Sequence, residues 1–525
     1  MVRATDDQKV LHRLGYPQEL LRGMGAFRNF AISFTIVSIL AGCLPGYYLA
    51  FHWGGPVSAV WGWLIVGVFT TFVALSLAEI ASTYPTAGGP YYWSSKLGTP
   101  GWGWFTGWFN LLGVTATGAI GYGLAVFATS LFNLVWGYPN DRHHIFYLFV
   151  AVMVAAVLVN ALDLRITSLL NAVSVYWHVI GVAVIVVALV GIPDHHESAR
   201  YVFTETVNNS GFGGDGWGSA RFLMVFAIGS IGMAQYTLVG YDASAHMAEE
   251  THKASRSAAV GMLMAVLVAV VCGFTLLLAV TFAIPSRAGV QEHYGDIAAY
   301  IWQTAMGTRW AQALLSIVVC AQFFCLVACM TGSSRLLFAF SRDGAVPGHR
   351  AWRKLSRRRV PVGAVLAVGV GCFLLMVPTW WNNLAGYYVG ASVGATSLYI
   401  AYALPVIMRL RKGSSFERGA WSLGRHHWWI NTIAIGWVVL ISIVFMLPTS
   451  PAGMPWRDGF DLNFVNYAPL TIGASFLLFG GWYPLSARRW FTGPVRMGTD
   501  EALELFEAQQ EGQFDLPADT AYESA

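Results

Sequence analysis

The chain has 525 residues, 56% of them hydrophobic and only 11% charged, with a formal net charge of +4. A soluble domain carries about one quarter charged residues, so this composition excludes a soluble globular protein and makes the positive excess a matter of membrane topology rather than of a nucleic-acid partner. The six cysteines contain no C-x-x-C pair and fall in apolar runs, which excludes a disulfide scaffold or a thiolate metal site.

Residues 1–28 are polar and charged and contain no short apolar core ahead of a small-residue cleavage site, so they read as a cytoplasmic segment rather than a signal peptide. Apolar runs follow at 29–51, 57–79, 104–135, 145–164 and 169–192. A polar stretch, 193–219, separates these from runs at 220–244, 258–284, 311–338, 361–380 and 385–408. The section 409–490 is a loop plus two more runs, 428–448 and 468–487, and 491–525 is a tail. Each run is long enough to cross a ~30 Å hydrocarbon layer as a helix. Continuous stretches such as LFVAVMVAAVLV do not alternate in polarity, as β-barrel strands would. The fold class is therefore an all-α integral membrane protein with twelve transmembrane helices. Residues 500–525 hold eight acidic residues and no Lys or Arg, the composition of a solvated, disordered tail.

Positive charge is retained on the cytoplasmic side. With the N terminus inside, all but six of the 31 Lys and Arg fall on inner segments; the six are Arg142, Arg200, Arg221, Arg287, Arg309 and Arg457. Both termini are then cytoplasmic, in a plasma or cytoplasmic membrane.

Two spans are interrupted. The first has Gly42, Pro45 and Gly46 close together, and Pro45 denies the Ala41 carbonyl its helical partner. The sixth has Gly229, Gly232 and Gly240, then the ionisable run Asp242, His246, Glu249, Glu250 and His252. Tyr236 to Gly240 reads as the unwound middle of that span, with Glu249, Glu250 and His252 at the cytoplasmic surface. Two broken helices five spans apart mark a binding site near mid-membrane, since freed backbone groups are tolerated only in protein or a watery cavity. Asp242 reads as a helix cap, a partner for a basic residue, or a substrate contact.

The stretches GYDASAHMAEET, SSRLLFAFSRDGAVP and AEIASTYPTAGGPYYW resemble the amino acid, polyamine and organocation permease superfamily over residues 20 to about 490. NFAISFTIVSILAGC and YWHVIG look most like its amino acid/choline branch, which includes γ-aminobutyrate and choline permeases. The resemblance implies a LeuT-like architecture with inverted five-helix repeats over 29–192 and 220–408, spans eleven and twelve being peripheral. It also implies alternating access without ATP, and no G-x-x-x-x-G-K-[ST] loop occurs.

Carried over from the family, the amides of Ala41, Gly42 and Cys43 would bind a substrate carboxylate, and carbonyls of Tyr236, Leu238 and Val239 its ammonium. Ser38, Gly240 and Asp242 complete the expected substrate set. Many relatives carry Gly-Ser-Gly where this chain has Ala-Gly-Cys. Tyr236 stands where relatives place an aromatic gate, whose ring face can cover an ammonium.

His178, the one ionisable side chain near the middle of a span, lies thirteen residues after Arg165, the spacing of a span-five lysine in proton-coupled or sodium-independent relatives. It is the expected proton-coupling group. The competing sodium site is Thr331, Ser333 and Ser334.

The expected function is import of an amino acid or small amine such as γ-aminobutyrate, coupled to protons in preference to sodium, with no cofactor or resident metal. Choline or ethanolamine is the alternative substrate, and a non-transporting sensor the alternative class. A metalloenzyme built on His246, Glu249, Glu250 and His252 lacks the H-E-x-x-H spacing.

Overall fold

The computed structural model describes residues 6–214, 216–293, 297–381 and 383–511. It is 77% helix, and among the described residues no strand forms, only a lone bridge between Met24 and Thr251. Within hydrocarbon a helix satisfies its own backbone groups, which is why runs this apolar take that form.

Among the described residues, eleven helices are long and apolar enough to cross a membrane. The sixth expected span, 220–244, is not among them, and it is not one helix: Ala220–Thr237 ends, 238–242 are unwound, and Ala243–His246 resumes for one turn. The first span is likewise two helices, Ala26–Val37 and Ile39–Gly54, joined at Ser38. Its break therefore falls upstream of the Gly-Pro cluster that suggested it, and Pro45 lies inside a continuous helix. The eighth span, Thr308–Arg342, has 35 residues. At about 1.5 Å per residue it is about 52 Å long, longer than the hydrocarbon layer is thick, and it ends in Arg335 and Arg342.

The first span packs on the sixth, the second (Pro56–Thr83) on the seventh (Ala254–Phe282), the third (Pro100–Trp136) on the eighth, and the fourth (Arg142–Leu162) on the ninth (Val362–Trp380). Pairing of equivalent members is what two repeats related by a two-fold axis produce. The eleventh helix, His427–Met446, leans on the second and tenth spans, and the twelfth, Ala468–Leu485, on the third and tenth (Asn383–Lys412). The twelfth leaves Leu470, Leu477, Leu478 and Leu485 exposed, a lipid-facing side.

The acidic tail differs from expectation. Asp500–Glu511 is helical, and Glu507 is drawn onto the N-terminal segment, where its carboxylate meets His12 at 2.8 Å and accepts from the Gln18 amide at 2.5 Å. Residues 512–525 lie outside the described residues.

Close contact of the two broken spans depends on Gly42, where a β-carbon would collide with the Thr237 side chain. Small residues serve this purpose where helices meet in a membrane. Gly42→Val is expected to lower the thermal unfolding midpoint of the purified protein in detergent, at the about 1–3 kcal/mol typical of overpacking.

Candidate functional site

Ser38 leaves helical geometry (φ 9°, ψ 92°), and its hydroxyl oxygen accepts from the Ala41 amide at 3.1 Å, so it caps the helix that starts at Ile39. The amides of Ala41 and Gly42 also bond the Ser38 carbonyl, both at 3.0 Å. In the sixth span, Gly240 adopts φ 80°, a left-handed conformation that favours glycine. The Leu238 carbonyl accepts from the Tyr399 hydroxyl at 2.5 Å, and the Gly240 amide donates to the Tyr402 hydroxyl at 3.2 Å. Two tyrosines of the tenth span thus take up backbone groups that the unwinding frees.

Between the breaks lies a narrow cavity of about 70 Å³. Of the expected substrate residues, Ser38, Ala41, Gly42, Tyr236, Val239, Gly240 and Asp242 line it, whereas Cys43 and Leu238 do not. Tyr236 also lines a second, larger cavity of about 450 Å³, bounded by His52, Trp53 and Asn209 on the face that carries the 193–219 segment. Its ring stands between the two spaces.

His178 is fully buried behind the wall rather than in it. Its Nδ1 lies 2.8 Å from the Ser174 carbonyl and its Nε2 2.6 Å from the Ser38 hydroxyl. A neutral ring meets both: it donates from Nδ1 and accepts the Ser38 hydrogen at Nε2. The three hydroxyls of the sodium alternative do not converge. Ser333 lines the cavity and meets Thr117 at 3.3 Å, Thr331 donates to Asn160 at 2.6 Å, and Ser334 donates to the Thr331 carbonyl at 2.8 Å.

The sequence reading did not single out Tyr399 and Tyr402, whose i, i+3 spacing in an apolar run is the only trace of their role, or Asn110, Thr117 and Thr237, which add polar groups to the cavity wall. Asp242 accepts from Tyr402 at 2.5 Å and meets His246 at 3.1 Å, and both line the cavity. Among the described residues, no group of three or more His, Cys, Asp or Glu is placed to hold a metal ion.

Residues 24–474 match the family model for amino acid permeases. The chain belongs to the amino acid permease family. It is similar to the amino-acid permease BAT1 of Arabidopsis thaliana, 33% identical over 506 residues that cover 92% of this chain and 95% of the relative. Its likeness to the BAT1 homolog of Oryza sativa subsp. japonica is also 33%, over 508 residues covering 92% and 95%. The GABA-specific permease of Saccharomyces cerevisiae is 25% identical over 519 residues, 95% of this chain and 87% of the relative. This protein is a multi-pass membrane permease and not an enzyme, which removes the metalloenzyme reading.

In the permease, the face bearing the Arg-rich loop 342–359, between the eighth and ninth spans, is closed. Glu249 and Glu250, expected at a wetted surface, are fully buried because the eighth span brings arginines to them. Arg342 grips both oxygens of Glu249 at 2.9 Å, and Arg335 meets Glu250 at 3.0 Å. A third buried pair, Glu79–Arg409 at 2.8 Å, joins the second and tenth spans. Arg342 also lies 3.8 Å from the ring centroid of Tyr16. Asp343 accepts from Tyr16 and Tyr91, both at 2.9 Å, and from the Val495 amide at 3.2 Å. Removing one partner of such a pair leaves a buried charge alone, a loss of about 3–5 kcal/mol. Arg342→Ala is therefore expected to lower the thermal midpoint and abolish uptake, with partial recovery in the charge-swapped double variant Glu249→Arg with Arg342→Glu.

Burial pushes the Asp343 carboxyl up from 3.8 to about 6, against the pull of Arg342. The folded state then holds a proton that the unfolded chain has released. This contribution to stability is complete below 3.8 and lost as pH rises through about 6. Thermal midpoints in detergent are expected to fall over that rise, and Asp343→Asn to flatten this part of the profile.

Proposed function

We propose that the permease imports an amino acid or a related small zwitterion such as γ-aminobutyrate across the cell membrane, driven by protons through alternating access, with both termini cytoplasmic. The observation that carries this reading is the polarity of the cavity. It lies at the N-terminal end of Ile39–Gly54 and the C-terminal end of Ala220–Thr237, with the Asp242 carboxyl beside the latter. Helix N-termini attract anions and C-termini cations, so a molecule with a carboxylate and an ammonium is matched at both ends. A choline-type quaternary ammonium would call for several ring faces, and among the described residues Tyr236 is the only Phe, Tyr or Trp in the lining. The similarity to a GABA-specific permease agrees with a zwitterion whose charges stand apart.

Protons are favoured over sodium because two of the three candidate hydroxyls are committed to other partners. His178 is proposed as a positioning residue that holds the Ser38 hydroxyl at the cavity wall. Tyr236 acts as the gate toward the larger cavity.

The test is uptake by purified protein in liposomes, with labelled α-amino acids, γ-aminobutyrate, choline and ethanolamine under imposed proton or sodium gradients. An amino acid accumulated by an inward proton gradient is the expected result; sodium-driven uptake, or uptake of choline alone, overturns the reading. In the same assay His178→Gln is expected to raise KM several-fold with kcat and the pH profile little changed. Loss of the proton dependence in that variant would instead make His178 the coupling group.

A further inference from the structure

His246 is buried, and its ring is pinned at both nitrogens by oxygens of the protein. Nδ1 lies 2.8 Å from the Ala87 carbonyl and Nε2 lies 3.1 Å from Asp242 Oδ2. A carbonyl only accepts, so Nδ1 carries a hydrogen. Nε2 then faces a carboxyl oxygen, and these two atoms attract only if one more proton lies between them, on the nitrogen or on the oxygen. Tyr402 donates to Oδ1 at 2.5 Å and accepts from the Gly240 amide, so its single hydrogen is already committed. This count differs from that at His178, where a serine hydroxyl supplies the hydrogen and a neutral ring satisfies every partner.

We infer that the Asp242–His246 pair is the binding site of the coupling proton, an inference that rests on the proton-driven reading above. With the proton present, His246 ties the unwound stretch of the sixth span to the 84–89 loop. When the proton leaves to water, the ring keeps one hydrogen for two acceptors, and either the bond to Asp242 or the bond to Ala87 is lost. The Ala87 amide in turn donates to Glu249 at 3.0 Å, the partner of Arg342. Proton occupancy is thereby connected to the closed face through a single loop, and because Asp242 and His246 both line the cavity, proton and substrate occupy one compartment.

The groups around the pair leave this proton to it. The tenth span contributes the phenols Tyr399 and Tyr402, the unwound stretch Tyr241, and the eighth span the thiol of Cys329. Arg335 and Arg342 of the eighth span are bound to Glu250 and Glu249. The first and seventh spans meet Ala243–His246 through uncharged groups, with Asn29 donating to the Ser244 carbonyl and Gly261 lying against the Ser244 hydroxyl. Their charged residues, Arg28 and Arg256, are half-buried and exposed.

Asp242→Asn is the informative variant. Its amide donates to a neutral His246, and its oxygen accepts from Tyr402, so every bond is kept without the extra proton. The assay is liposome uptake of the labelled amino acid that wild-type protein accumulates, with and without an inward proton gradient, together with counterflow at uniform pH. Asp242→Asn is expected to keep its thermal midpoint and a measurable counterflow, weakened by loss of the carboxyl beside the substrate ammonium, while the ratio of uptake with and without the gradient falls to about one; His246→Gln, the second variant, is expected to lose the same ratio. Gradient-driven uptake persisting in either variant overturns the inference, as does an Asp242→Asn protein that folds but exchanges nothing, which would make substrate binding the carboxyl's whole role. A wild-type protein indifferent to the proton gradient would overturn the proton-driven reading itself, an outcome distinct from retained coupling in the variants.

Discussion

The constraint from which the rest of this structure follows is that a helix interrupted inside a membrane frees backbone groups that no lipid can satisfy. Two spans are interrupted, and each break is answered by side chains. Ser38 caps its own following helix and is in turn held by His178 of the fifth span. Tyr399 and Tyr402 of the tenth span take the Leu238 carbonyl and the Gly240 amide. The fifth span thus braces the break in the first, and the tenth braces the break in the sixth. The cavity is the space left where these repairs meet.

The same economy applies to charge. An isolated charge in a dry interior is costly, and a paired one is tolerated only with good geometry. Glu249 and Glu250 follow the short helix Ala243–His246 into a closed face, and each finds an arginine on the over-long eighth span. The N-terminal segment and the C-terminal helix cover this face, through Tyr16 on Asp343 and His12 on Glu507. The opposite face presents the large cavity with Tyr236 at its floor. The molecule is therefore closed toward the Arg-rich loop and hollow toward the 193–219 segment.

Much of this was legible in the residues. Long apolar runs gave the spans, since length against bilayer thickness is a one-dimensional measurement. The glycines and the clustered ionisable groups pointed to spans one and six as the broken pair, and most of the expected substrate residues do line one cavity. The position of the first break was less legible: Pro45 marked the right helix, but the helix runs through it and the hinge is at Ser38, a residue with no turn signature of its own. Glu249 and Glu250 read as surface residues because nothing in the sequence announces that Arg335 and Arg342, some 85 and 93 positions away, will reach them.

What the sequence determined by itself, then, was the number and order of spans, which of them break, and the family, because hydrophobic length and short local motifs are properties of neighbouring residues. Only the tertiary structure decided which polar groups meet. The bond from Ser38 to His178 spans 140 positions, and that from Tyr402 to Asp242 spans 160. Hydrogen-bond partners are chosen by distances of about 3 Å in space, and a linear chain carries no record of those distances until its helices have packed.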